Sequence, residues 1–190
     1  VTGTSTFTTS ASDADITLAT TTNAFTGAVS LNTTGSGGNA EVIDASALNL
    51  GASTVGGTLS ARAVTGDISN SGNLAITGAA TFRTDAAESN IALDSSGNVF
   101  SSAVTLQADD GSEAFGNITF VDSAAVDFDS SASANGDLYI NASTDGAVGG
   151  NLSVTATTGN ITQNVALAVT GTSTFITGAA GSNIILDHAD

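Results

Sequence analysis

The side chains best suited to chemistry in this chain are carboxylates. Eighteen Asp and Glu stand against two Arg, no Lys and one His in 190 residues. They gather as Asp13 with Asp15, as Asp109 and Asp110 with Glu113, and as Asp127 with Asp129 on either side of Phe128. At i, i+2 spacing Asp127 and Asp129 share one face of an extended strand, and the alternation directs both outward. Converging carboxylates are what glycoside cleavage requires, one as acid and one as base or nucleophile. Binding an acidic sugar also needs cleft loops and basic side chains. Arg62 and Arg83 are too few for that, so the reading is non-enzymatic and no residue is assigned as catalytic.

Calcium suits these carboxylates better, because a hard cation takes oxygen ligands from Asp and from turn carbonyls. Asp109, Asp110, Asp127 and Asp129 are the weak calcium candidates. The specific G-G-x-G-x-D repeat is absent, and Gly35-Ser36-Gly37-Gly38-Asn39 lacks the Asp. The expectation is no cofactor and no dedicated metal site, with calcium at acidic turns adventitious at most. His188 stands alone near the end of the sequence, with no Ser-His-Asp or Cys-His set around it. The Gly-rich turns are not phosphate loops, since no Lys exists to complete one. Thr2, Thr4, Thr6 and Thr8 alternate on one strand, as an ice-binding face would. The corresponding positions read Ala79 with Thr81, Thr58 with Ser60 and Asn151 with Ser153, which breaks that ladder. Asn-x-Ser/Thr triplets begin at Asn32, Asn117, Asn141, Asn151 and Asn160, in a composition that generates them by chance.

Composition narrows the scaffold that must position these groups. Hydrophobic residues make up 41% but aromatics only 5%, with 22 Gly and no Pro, Cys, Met or Trp. A core of small and β-branched side chains suits many thin layers. A net charge of −16 repels nucleic acid and anionic lipid, so neither is an expected partner. It also keeps a β-rich surface soluble and discourages edge-to-edge sticking. No apolar run is long enough to span a membrane as a helix. No charged segment followed by an apolar one opens the sequence. Val1 falls in the middle of a repeat, which suggests a piece of something longer.

The organising feature is a long self-similarity. Val1-Thr2-Gly3-Thr4-Ser5-Thr6-Phe7 returns as Ile76 to Phe82 and as Val169 to Phe175. The chain thus divides into long repeats 1–75, 76–168 and a truncated 169–190, all within a single segment 1–190. Phe25 to Leu31 matches Phe100 to Leu106, Asp44 matches Asp122, and Val55 to Ala61 matches Val148 to Val154. The second unit exceeds the first by eighteen residues: three between Leu31 and Asp44, and fifteen around Gly136 to Ile140. With a coil of about 18 to 19 residues, the longer unit is the shorter one plus a whole coil, which a solenoid tolerates because each coil contacts only its neighbours.

Apolar and polar residues alternate at a period of two, as in Ile16-Thr17-Leu18, Val29-Ser30-Leu31 and Leu152-Ser153-Val154. That period means strand, and helix content should be near nil. The resulting fold class is all-β: a right-handed parallel β-helix (β-solenoid) of about ten coils, a rod of roughly 48 Å at the usual strand spacing. Phe7, Phe82 and Phe175 should fill its widest corner.

The V-T-G-x-[ST]-T-F phrase and the phrase before it (Gly66 to Ser71, Gly159 to Asn164) resemble the filamentous-haemagglutinin-type repeats of large secreted bacterial surface proteins. The resemblance implies an extracellular, secreted or cell-surface fibre used in adhesion or surface coating. Its partners would be other copies of itself, flanking repeats of the parent chain, or a host or neighbouring-cell surface. The two functions expected are a rod segment of an adhesin or surface fibre, and a subunit of a homopolymeric filament stacked end to end. The export domain of that family is not recognisable in the sequence.

Overall fold

A computed structural model describes residues 1–108, 116–129, 137–140 and 147–187. Strands are short because the alternating segments are short. They are β1 (Ser5–Ser12), β2 (Ile16–Leu18), β3 (Val29–Thr34), β4 (Ala40–Asp44), β5 (Leu48–Leu50), β6 (Ser53–Val55), β7 (Leu59–Ala63) and β8 (Ile68–Asn70). Next come β9 (Leu74–Ile76), β10 (Ala80–Thr84), β11 (Ile91–Leu93), β12 (Val99–Phe100), β13 (Val104–Ala108), β14 (Ile118–Asp122) and β15 (Val126–Phe128). The last are β16 (Asp137–Ile140), β17 (Ala147–Val148), β18 (Leu152–Ala156), β19 (Ile161–Gln163), β20 (Ala168–Val169), β21 (Ser173–Thr177) and β22 (Ile184–Ile185). Among the described residues there is no helix.

Every recorded strand pairing is parallel, and each joins one coil to the next along the rod, apart from two: β15 with β16, and the single Val29–Leu50 pair of β3 with β5. Three columns result. Column one is β1-β3-β6-β9-β12. Column two is β2-β4-β7-β10-β13-β16. Column three is β5-β8-β11-β14-β18-β21. A further ladder, β15-β19-β22, adjoins column two through β16.

The protein is therefore a parallel β-solenoid, but with about seven turns rather than ten. Coils are longer than the sequence periodicity suggested. Bonded positions on successive coils lie 19, 23, 24, 27 and 34 residues apart. At a strand spacing of about 4.8 Å, seven turns make a rod of roughly 34 Å.

The eighteen extra residues of the second unit do not form a coil. From β1 to β10 the chain climbs three turns and moves on one column, and from β10 to β21 it does the same. Fifteen of the additional residues are absorbed inside one wide coil, between β14 and β18, which are paired although 34 residues separate Ile118 from Leu152, and the other three fall between β13 and β14. Each unit thus advances the phrase by a third of a turn. Phe7, Phe82 and Phe175 lie mid-strand in columns one, two and three respectively, not stacked together at one corner.

Inward positions pack large against small. Phe82 is fully buried, with Ala61 below it and Leu106 above. It meets Phe100 edge-on at 6.0 Å, and Phe7 meets Phe25 in the same way at 5.9 Å. Such T-shaped pairs place a ring edge against a neighbouring π face. Where the backbone turns into a strand, coils approach so closely that a Cβ on Gly78 would lie 2.6 Å from the Gly57 carbonyl carbon. Only glycine fits there.

Candidate functional site

Two arrangements of side-chain oxygen stand out: an amide ladder on the edge and an acidic cluster beside the wide coil. The ladder is built from the residue immediately before a strand. Asp67 Oδ1 accepts from the Asn90 backbone N–H at 2.7 Å and its amide at 3.2 Å. Asn90 Oδ1 accepts the same two bonds from Asn117, both at 2.8 Å. Asn117 then accepts from Asn151 N–H at 2.9 Å, and Asn151 from Thr172 N–H at 2.8 Å. Asp15 to Asn39 to Thr58 is a shorter run of the same kind, and Asn160 to Asn183 another. Each side-chain carbonyl takes the place of a backbone carbonyl where the ladder would otherwise lapse at the turn.

The sequence repeat placed Asn and Asp at these positions, but their role was not legible, because the partner lies one coil away. Three of the five Asn-x-Ser/Thr triplets begin on ladder residues, Asn117, Asn151 and Asn160. Asn32 lies on the outer side of β3, where its Oδ1 meets Thr54 N–H at 3.3 Å, and Asn141 falls outside the described residues.

Two of the buried carboxylates, Asp44 and Asp122, are held by N–H and hydroxyl donors. Asp44 accepts from Phe25 N–H at 2.9 Å with one oxygen, and from Ser46 N–H and Oγ with the other. Its repeat counterpart Asp122 accepts from Phe100 N–H at 3.2 Å and Ala124 N–H at 3.3 Å. Each ties the turn carrying a buried Phe to the coil above. Burial pushes the Asp122 carboxyl above its ordinary range, and the backbone N–H bonds pull in the opposite direction.

The acidic cluster joins two of the expected calcium candidates to a residue the sequence did not single out. Carboxylate oxygens of Asp127, Asp129 and Asp137 lie within 4.8 Å of one another. Parallel pairing of β15 with β16 sets Asp127 opposite Asp137. Asp137 is buried, while Asp127 and Asp129 are half-buried rather than turned fully outward. Asp127 also accepts bonds from Thr162 at 2.9 Å and from the Asn164 amide. Three oxygen donors of this kind suit a hard cation by type. Asp109, Asp110, Glu113 and His188 lie outside the described residues. Asp13 Oδ1 accepts from Gly37 N–H at 2.8 Å, and Asp15 belongs to the ladder, so the two do not converge on one ligand.

The two arginines are register neighbours on β7 and β10 and share one counter-ion. Asp85 receives Arg62 Nε at 2.6 Å on one oxygen and Arg83 Nε at 2.7 Å on the other. The Asp85 bond raises the Arg62 pKa above its ordinary value. Both fixed cations are thus occupied within the chain. An open cleft of about 280 Å³ on column two is lined by Asp15, Thr17, Asn39, Glu41, Thr58 and Ser60. Its lining carries no cationic side chain.

These features define a repeat-built parallel β-solenoid whose polar side chains mostly hold one coil to the next. The family of repeats described as "Repeats of unknown function (DUF5649)" matches residues 1–32, 37–107 and 141–190. The chain belongs to that repeat family. No curated protein matches the chain, and no solved structure does.

Proposed function

We propose that this chain is a structural, non-enzymatic rod segment of an extracellular bacterial adhesin or surface fibre. The observation that carries this reading is the use of polar side chains. Asn, Asp and Thr that would line a binding site in a catalytic protein are bonded from coil to coil along the rod axis. A solenoid of this kind gains stability from nearest-neighbour stacking, and gives length and stiffness. The resemblance of the repeat phrase to filamentous-haemagglutinin-type repeats supports the extracellular placement. The test is antibody labelling of intact source cells against this segment. Surface staining before permeabilisation is expected, and staining only afterwards would overturn the reading. Turnover of any glycan in a broad panel, lost in Asp127→Asn, would overturn the non-enzymatic part.

A second reading makes the chain a subunit of a homopolymeric filament with copies stacked end to end. What favours it is that the chain's own units already stack in one repeating geometry: the Val1 to Phe7 phrase returns at Ile76 and Val169, each time three turns up and one column on. Indefinite fibres of constant width in negative stain would support it.

A further inference from the structure

We infer that the open cleft on column two receives the primary ammonium group of a lysine side chain on a basic protein partner. This goes beyond the rod reading, which surface labelling decides independently of the cleft.

Column two differs from the other faces of the rod. In the strands of columns one and three the only charged residue is Asp122, and it is buried. Column two alone turns charge outward, with Glu41 on β4, Arg62 on β7 and Arg83 on β10. The cleft, about 280 Å³, lies on this flank between two rows of side chains. One row is Asp15, Asn39 and Thr58, and the ladder takes up most of it. Asp15 Oδ1 accepts from Asn39 N–H at 2.9 Å and from its amide at 3.1 Å. Asn39 Oδ1 accepts from Thr58 N–H at 2.9 Å and from its hydroxyl at 2.8 Å. The other row is Thr17, Glu41 and Ser60, register partners on three successive strands, with a rung spacing of about 4.8 Å. Among the described residues nothing bonds Asp15 Oδ2, the Glu41 carboxylate or the Thr17 and Ser60 hydroxyls.

The groups left over are therefore acceptors: two carboxylates and two hydroxyls around one recess. An ammonium is their complement, with three donors, no acceptor and a compact charge on a flexible stem. A guanidinium fork instead asks for paired acceptors in one plane. Carboxylates without a counter-ion, on a chain of net charge −16, draw a cation to this recess. The chain cannot supply that cation. It has no Lys, and Arg62, two residues beyond Ser60 on β7, is turned to Asp85. A second copy offers no more, so the occupant belongs to a different, basic protein. The ladder alone does not make such a site. Column three carries the longer ladder of Asp67, Asn90, Asn117 and Asn151, but its outward row reads Ser69, Ala92, Thr119 and Ser153, without a carboxylate. Glu41 is what sets the column-two cleft apart.

The test follows backbone amide shifts of the 190-residue chain by NMR as Nα-acetyl-lysine methylamide is added. Saturable shifts confined to the surroundings of Thr17, Glu41 and Ser60 are expected. Glu41→Gln keeps the size of the side chain and should weaken binding about threefold to fivefold. Asp94→Asn removes an equal charge from an exposed position after β11 and should leave the affinity unchanged. Equal losses in the two variants, or shifts spread over the whole acidic surface, would reduce the effect to diffuse attraction and overturn the site. Tighter binding of calcium chloride or of glucosamine at the same three residues would overturn the lysine assignment, in favour of a metal ion or an amino sugar.

Discussion

The stretch from β4 to β13 and the stretch from β13 to β19 solve the same stacking problem with different lengths of chain. In the first, successive column-two strands begin at Ala40, Leu59, Ala80 and Val104. In the second, Ile118 pairs with Leu152 across the wide coil. Both keep the inward alternation and the parallel register. The short coils leave little beyond corners between their strands, and their polar groups serve the ladder. The wide coil adds β16, and with it the only three-carboxylate cluster among the described residues. Extra sequence in a solenoid thus widens a storey without adding one, and new chemistry arises where it widens. The phase of the repeat is conserved because the flanking coils must still meet strand on strand.

The sharpest way to break the comparison is to attack the short-coil core. Phe82→Ala removes a fully buried ring and should destabilise the fold by about 3–5 kcal/mol in denaturant unfolding. A change below about 1 kcal/mol would show that the central layer is not what holds the coils. Next comes the ladder, which spans both regions. Asn117→Ala takes the acceptor from the Asn151 N–H and removes one of the two donors to Asn90 Oδ1, the Asn117 backbone N–H remaining, and should cost about 0.5–1.5 kcal/mol. Asn117→Asp should be worse at neutral pH than at acid pH, since a charged carboxylate would face the Asn90 amide oxygen where an amide N–H now donates.

Asp122, at the boundary of the two regions, gives a smaller and pH-dependent effect. Its folded-state pKa is raised, so its stabilising contribution is complete below the ordinary carboxylate range and is lost as pH rises through the folded value. Asp122→Asn retains an oxygen to accept Phe100 and Ala124 N–H without burying a charge. Relative to the native chain it should gain stability at neutral pH, and the difference should shrink towards acid pH. A constant difference across that window would refute the assignment.

Smallest is the response of the wide coil to metal. Asp127 is already bonded to Thr162 and Asn164. Millimolar calcium should therefore raise Tm by no more than about 2 °C, and not at all in Asp129→Asn. A shift several times larger would mark a dedicated site.

Much of the architecture was legible in the residues, for reasons that are local. Alternation in segments such as Leu152-Ser153-Val154 sets which side chains face inward, and Gly, Asn and Asp clusters set the corners. The return of the Val1 to Phe7 phrase identified a stacked repeat, and the burial of Phe82 followed from it. Coil length was not legible. The sequence read the difference between the units as one added coil, and strand pairing shows one widened coil instead. The ladder role of Asn90 and Asn117 was hidden for the same reason, as their partners lie 23 and 27 residues away. Asp137 was missed because its approach to Asp127 depends on β15 pairing sideways with β16. Period-two patterning acts within one strand, so the sequence by itself determined the strands, their faces and the repeat. Register between coils is a contact between distant segments, so only the tertiary structure decided the number of turns, the rotation of the phrase around three columns, and which carboxylates meet.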